Sequence, residues 1–390
     1  MTSRHDKIAS HLADVPRSGI RDFFELVETR RDVLSLGIGE PDFVTPWRIR
    51  DAAIYALDHG ATSYTGNLGL LSLRREISRY VESAFDIAYD PRTEVLVTVG
   101  VSEAFDLAIR ALISPGDEVI YHEPCYVSYG PVVTFAHGIP VPIATRREED
   151  FRLTAEAIEA AVTDRSRVLV LNFPTNPTGA TLDRADLQAI AEVVQRHDLI
   201  VIADEIYSEL TYDGARGSIA ALDGMRDRTI FLHGLSKAWA MTGFRIGYAC
   251  APQEFTEAMM NIHQYTMLCA PILSQMAARE ALAHTDSLVG EMKSDYEKRR
   301  NLMHAALSEM GLPCRKPRGA FYMFPYVGDT GLNSQAFCMQ LLEAENVACV
   351  PGTAFGACGE GHIRCSYAAD MGRIKEAMER IARFVAQIRP

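Results

Sequence analysis

The chain has 390 residues, with 51 acidic against 39 basic side chains and a formal charge of −12. That excess of negative charge disfavours nucleic acid and anionic membrane as partners, since both are bound through basic patches. Composition is that of a globular chain, 48% hydrophobic and 23% charged, long enough for two domains or for one large domain with an appendage.

The first residues, "MTSRHDKIASHLADV", lack the apolar core of a secretory signal. No run approaches the roughly 18 apolar residues that cross a bilayer. The eight cysteines are scattered, with no C-x-x-C pair and no zinc-type spacing, so no metal site is expected. They read as small buried hydrophobes kept reduced in a cytoplasmic protein.

Along the chain, short apolar runs end in polar or Gly/Pro clusters: "EVLVTVG" (94–100), "EVIYHEP" (118–124), "RVLVLNFPTNPTG" (167–179), "LIVIADEIY" (199–207), "TIFLHGLSK" (229–237) and "FRIGYACAP" (244–252). The runs are continuous rather than alternating, which predicts strands buried on both faces. Helical patterns separate most of them, such as "SEAFDLAIRALI" after the first and "LDRADLQAIAEVVQRH" (182–197) after the third. This β/α alternation predicts an α/β fold with a mostly parallel sheet flanked by helices. Past residue 285 a long helix is predicted over 286–311, capped by Asp286 and ended by Gly311, with a stripe of Leu288, Met292, Tyr296, Met303, Leu307 and Met310. A last helix spans roughly 370–388, with Ile374, Met378, Ile381, Val385 and Ile388 on one face.

In such sheets ligands lie beyond the carboxyl ends of the strands, and the chemistry-bearing residues collect there. After "TVG" a helix opens at Val101, Ser102 and Glu103, whose free N–H groups make an anion site. Asn176, in "NFPTNPTG", presents an amide. Asp204 ends a strand, with Tyr207 three residues on. Lys237, in "HGLSKAWAMTGFRIGY", has no charged neighbour until Arg245, unlike the other five lysines, each within two residues of an acidic or arginine side chain. Burial of such a lysine lowers its pKa and frees the amine to attack a carbonyl. Each feature alone has a plain alternative: a helix cap for Asp204, a turn for 172–179, a snorkelling lysine at 237. Together they supply what pyridoxal 5'-phosphate needs: a phosphate cradle with a guanidinium, a carboxylate for the ring nitrogen, donors for the phenolic oxygen and a lysine for the aldehyde.

From "LSLGIGEPDFVTP" (34–46) to "GHIRCSYA" (361–368) the sequence resembles the class I/II aminotransferases of PLP fold type I. The resemblance implies a large cofactor-binding domain over 46–285 and a smaller α+β domain built from 1–45 and 286–390. It implies that Lys237 bonds the cofactor aldehyde, that Asp204 pairs with the ring nitrogen, and that Asn176 and Tyr207 hold the phenolic oxygen. Val101, Ser102, Glu103 and Arg245 hold the phosphate, Tyr126 stacks on the ring, and Gly39, Asn176 and Arg364 receive the substrate α-carboxylate. A homodimer is implied, with Tyr64 reaching the other subunit's phosphate. The implied reaction moves the amino group of an L-amino acid to a 2-oxo acid such as 2-oxoglutarate, by alternation of two half-reactions. Gly234 stands where many relatives carry a phosphate-binding serine or threonine; the resemblance implies that its backbone approaches the phosphate without that hydroxyl, and by alignment Ser236 is the wrong neighbour to replace it. The pattern, "SGIRDFFELV" (18–27) included, looks like the broad-specificity branch, with aspartate, aromatic and acetyl-diaminopimelate aminotransferases.

Two rivals share these residues. A carbon–sulfur lyase or decarboxylase on the same fold differs in needing no second substrate. A non-catalytic PLP-binding regulator ordinarily carries an N-terminal DNA-binding domain, for which the roughly 45 residues before the cofactor domain and the acidic charge are a poor match.

Overall fold

The computed structural model describes residues 7–15, 30, 32–214 and 216–389. The segment "SGIRDFFELV" lies outside them. Of the twelve strands described, the first, β1 (Leu34–Ser35), stands outside the sheet made by the seven that follow it: β2 (Val95–Thr98), β3 (Glu118–Glu123), β4 (Ile139–Ala144), β5 (Ser166–Leu171), β6 (Ile200–Asp204), β7 (Thr229–Gly234) and β8 (Gly247–Cys250). These seven form one sheet in the order β2-β8-β7-β6-β5-β3-β4. Strand β8 runs antiparallel to both β2 and β7, and every other pair is parallel.

The apolar runs explain the layering. Alternate residues of β6 enter different cores: Ile202 packs with Leu107, Ala108 and Val170, whereas Val201 and Ala203 pack with Ile190, Val194 and Ile219. A strand with apolar groups on both faces is stable only between helices, and helices Val101–Leu112 and Arg184–Arg196 cover the two sides. Strand β4 was not legible in the sequence. Its "IPVPIA" holds two prolines, which cannot complete a central ladder, and it lies at the sheet edge with exposed positions.

Four short strands follow: β9 (Tyr322–Met323), β10 (Val347–Ala348), β11 (Val350–Pro351) and β12 (Ile363–Ser366). They make a three-stranded sheet, β11-β12-β9, and a pair in which β1 lies parallel to β10, Leu34 opposite Val347. The long helix runs Thr285–Glu309. Asp286 does not cap it. The helix Ile272–Ala283 ends one residue away, so His284 is the cap position and Thr285 Oγ1 bonds back to Leu282 O at 3.2 Å, leaving Asp286 inside the first turn. The final helix, Met371–Ile388, is capped by Asp370, which accepts from the N–H groups of Gly372 and Arg373. No described helix is long and apolar enough to cross a membrane.

Candidate active site

The carboxyl ends of the parallel strands open onto a cavity of about 510 Å³. Ser102, Tyr126, Asn172, Asp204 and Ser236 come from segments that leave the large sheet, and Gly39, Tyr322 and Arg364 close the cavity from the other side. Of the residues expected to bind cofactor or substrate, Gly39, Val101, Ser102, Tyr126, Asn176, Asp204, Tyr207, Lys237, Arg245 and Arg364 line it. Glu103, Gly234 and Tyr64 do not.

Lys237 is partly buried, and its Nζ donates to Gly39 O at 2.7 Å. Burial, with the Arg364 guanidinium nearby, pulls the amine down from 10.5 to about 8. Glu40 and Asp204 oppose that shift. Asp204 is buried, and burial pushes its carboxyl up. Two hydrogen bonds hold it back: Tyr129 Oη donates to Oδ2 at 2.7 Å and the Ile206 N–H to Oδ1 at 3.2 Å. The Asn172 amide anchors the backbone behind it, donating to Asp204 O at 2.9 Å.

Arg364 lies between the rings of Tyr322 and Phe355, its guanidinium carbon 4.6 and 4.8 Å from their centroids. Nη1 donates to Asn176 Oδ1 at 2.9 Å and Nη2 to Gly37 O at 2.5 Å. Nε is buried with no acceptor among the described residues. Three of its five N–H donors are therefore uncommitted. The same contact orients Asn176: its oxygen faces the guanidinium, so its NH₂ is left for another acceptor.

The phosphate end is shaped by absent side chains. Gly100 sits at φ 79° and ψ 169°, a region open essentially to glycine, and a Cβ there would meet Arg245 Nη2 at 2.8 Å. A Cβ on Gly247 would meet Gly100 C and Val101 N, both at 2.7 Å. Backbone thus packs on backbone where the helix Val101–Leu112 begins, and Arg245 is laid over that start. The first N–H groups of this helix have no intrahelical acceptor. Glu103 turns its side chain away: Oε1 bonds His263 Nδ1 at 2.7 Å and Oε2 accepts the Val99 N–H at 2.5 Å. Its main-chain N–H remains among the unpaired donors of the helix start.

Gly234 is placed otherwise than expected. It packs behind the cavity, where a Cβ would meet Val101 Cγ2 at 2.8 Å and Gly247 Cα at 3.2 Å. Its N–H donates to His233 Nδ1 at 2.7 Å, and His233 Nε2 in turn lies 2.8 Å from Glu209 Oε2. The Val101 side chain fills the room that a hydroxyl at 234 would need. Ser236, discounted from alignment, does line the cavity beside Lys237.

Tyr129, Asn172 and Tyr322 are among the cavity residues that the sequence reading missed. Asn172 alone carried a signal, as the first polar residue after an apolar run.

The family model for aminotransferase class I and II matches residues 31–381. The chain is 50% identical to a putative aminotransferase, YugH, of Bacillus subtilis, over 97% of this chain and 98% of that one. It is 42% identical to aromatic-amino-acid aminotransferase 2 of Thermococcus litoralis, over 97% and 98%. The solved structure of aspartate aminotransferase from Thermus thermophilus with maleate superposes with a TM-score of 0.93 at 35% identity, over 98% of this chain and all (100%) of that one. A lysine amine, a buried carboxylate and an arginine around one cavity, on a chain alike from end to end to these enzymes, make this protein a member of the class I and II aminotransferases, pyridoxal-phosphate-dependent transferases of amino groups between amino and 2-oxo acids.

Proposed function

We propose that the cavity holds pyridoxal 5'-phosphate through the residues described above and moves the amino group of an L-amino acid to 2-oxoglutarate. The residues fit the cofactor. The glycines at 100 and 247 leave a cradle at a helix start, Arg245 lies over it, and buried Asp204 is a carboxylate placed for a cationic ring nitrogen. Val101, Ser102 and the Glu103 N–H hold the phosphate, with Ser236 supplying the hydroxyl that Gly234 lacks. Tyr126 covers the ring face. When bound, the cofactor supplies an electron sink for the substrate α-carbon.

The chain's own groups do the rest. Arg364 clamps the α-carboxylate through its uncommitted N–H groups, held flat by two aromatic rings. Lys237 Nζ would take the proton from the substrate α-carbon and deliver it to the aldehyde carbon of the bound cofactor rather than back to the α-carbon, a task for which an amine titrating at about 8 is well matched near neutral pH. Asp204 keeps a proton on the ring nitrogen. The Asn176 NH₂ and the Tyr207 hydroxyl face the phenolic oxygen. The observation that carries the reading is the Lys237 amine, lowered in pKa, in one cavity with Asp204 and Arg364.

We also propose a homodimer. Tyr64 is 82% exposed and outside its own cavity, and Val44, Trp47, Tyr55, Tyr265 and Met267 are exposed with it. Exposed aromatic side chains of this kind suit a partner surface, here for a second copy whose site Tyr64 completes. The pairing of β1 with β10 supports a division into 46–285 and a smaller unit from 1–45 and 286–390. Eight scattered cysteines with no C-x-x-C pair fit a reducing cytoplasm.

The deciding experiment incubates the holoenzyme with aromatic and acidic L-amino acids, each with and without 2-oxoglutarate. Turnover is expected only with both substrates. Sustained release of ammonia or carbon dioxide without the 2-oxo acid would replace this reading with a lyase or a decarboxylase.

A further inference from the structure

Tyr207 follows β6 in the large sheet and Tyr322 opens β9 on the opposite wall, yet their hydroxyl oxygens are 2.8 Å apart and both line the cavity. Both side chains are buried, and burial pushes both phenols up, so each keeps its proton at neutral pH. Two phenols in contact hold two hydrogens and share one hydrogen bond. One hydrogen lies between the oxygens and the other is free to be aimed elsewhere. Among the described residues neither hydroxyl has another hydrogen-bond partner.

The surroundings decide which hydrogen is free. The Arg364 guanidinium lies over the Tyr322 ring, 4.6 Å from its centroid. A Cβ built on Gly39 would meet Tyr322 Oη at 2.8 Å and Arg364 Nη1 at 3.8 Å, so cation and hydroxyl border the same point. A hydroxyl beside a cation turns its oxygen toward the charge and its hydrogen away. The acceptor on the far side is Tyr207. We propose that Tyr322 is a positioning residue for the Tyr207 hydroxyl: it donates to Tyr207 Oη and so leaves the Tyr207 hydrogen for the cavity, where it is donated to the phenolic oxygen of the cofactor. This rests on the reading of the cavity as the cofactor site. Were the order reversed, Tyr207 would spend its one hydrogen on Tyr322 and have none to give.

A donor that itself accepts a hydrogen bond donates more strongly. Donation to the phenolic oxygen draws charge from it and lowers the proton affinity of the nitrogen bound beside it. The consequence is read from the pH midpoint of the visible absorbance of the holoenzyme. Tyr322→Phe keeps the ring against Arg364 and deletes the hydroxyl, and is expected to raise the midpoint by roughly 0.1 to 0.3 pH unit, the cooperative share of the Tyr207 hydrogen bond. Tyr207→Phe should raise it further, and the double variant no further than Tyr207→Phe alone, because Tyr322 acts through Tyr207. Gly39→Ala, which crowds Tyr322 Oη while keeping every hydroxyl, should shift the midpoint in the same upward direction. An unmoved midpoint in Tyr322→Phe, or an equal added shift on the Tyr207→Phe background, would overturn the inference. A wild-type protein with no visible band would overturn the cofactor reading instead.

Discussion

Lys237 shows what burial does to one side chain. Its amine titrates at about 8 against 10.5 for a solvated lysine, chiefly through desolvation. The cofactor-free protein should therefore capture pyridoxal phosphate at a rate that climbs with pH about a midpoint near 8, followed by the growth of visible absorbance, and Lys237→Ala should show neither the band nor turnover. The sign for stability follows from the same shift. Between about 8 and 10.5 the unfolded chain holds the lysine proton and the folded chain has released it, so this residue's contribution to stability rises with pH across that window. Arg364 differs in that two of its donors are already committed to Asn176 and Gly37. Arg364→Ala should lower kcat/KM for the amino donor by roughly a hundredfold, the loss of a charge-assisted pair, while the cofactor band is retained. Loss of the band would mean that Arg364 serves the cofactor.

At the scale of elements, the site is made of ends. Strand β6 delivers Asp204, β7 leads to Ser236 and Lys237, and the helix after β2 opens its N–H groups beside Gly247. The sequence displayed those ends well, because each is a polar cluster after an apolar run. It displayed poorly whatever depends on two ends meeting. Tyr129 and Tyr322 read as ordinary aromatic residues in "CYVSYG" and "AFYMF" until the fold sets one on Asp204 and the other on Tyr207. The packing around Gly234 was hidden for the same reason: its neighbour Val101 is distant in the chain, and only the fold reveals that the two share one volume. Strand β4 was hidden by its prolines, and the Asp286 cap was an inference from a local pattern that the adjoining helix overrides. Gly100→Ala tests the helix start. The side chain would demand a backbone region that costs about 1–3 kcal/mol for other residues and would push Arg245 aside, so cofactor affinity should fall by roughly tenfold or more in equilibrium dialysis while the fold survives.

At the scale of the whole molecule, the exposed aromatic surface around Trp47 and Tyr55 sits on the helix Trp47–Asp58, which packs its other face on the helix Ile272–Ala283. A helix apolar on both sides needs a cover for each. If the proposed dimer forms through this face, Trp47→Asp should shift the protein to monomer in sedimentation velocity and, with Tyr64 of the second copy withdrawn, weaken cofactor retention along with it. A variant that remained dimeric would place the subunit contact elsewhere.

The union of Gly100 with Gly247 has a further meaning for how the chain reaches its working form. β2 is the edge strand of the large sheet, and it docks antiparallel on β8 with Thr98 opposite Gly247. A slip of one residue in that pairing would bring Tyr248 or Ile246, with full side chains, to the bare spot where the helix starts. Such a molecule would also turn Val95, Leu96 and Val97 to the wrong faces of the sheet, so the register that packs the core is the one that leaves the helix start bare. A phosphate ligand that needs that bare spot adds its binding free energy to this one register of β2 on β8.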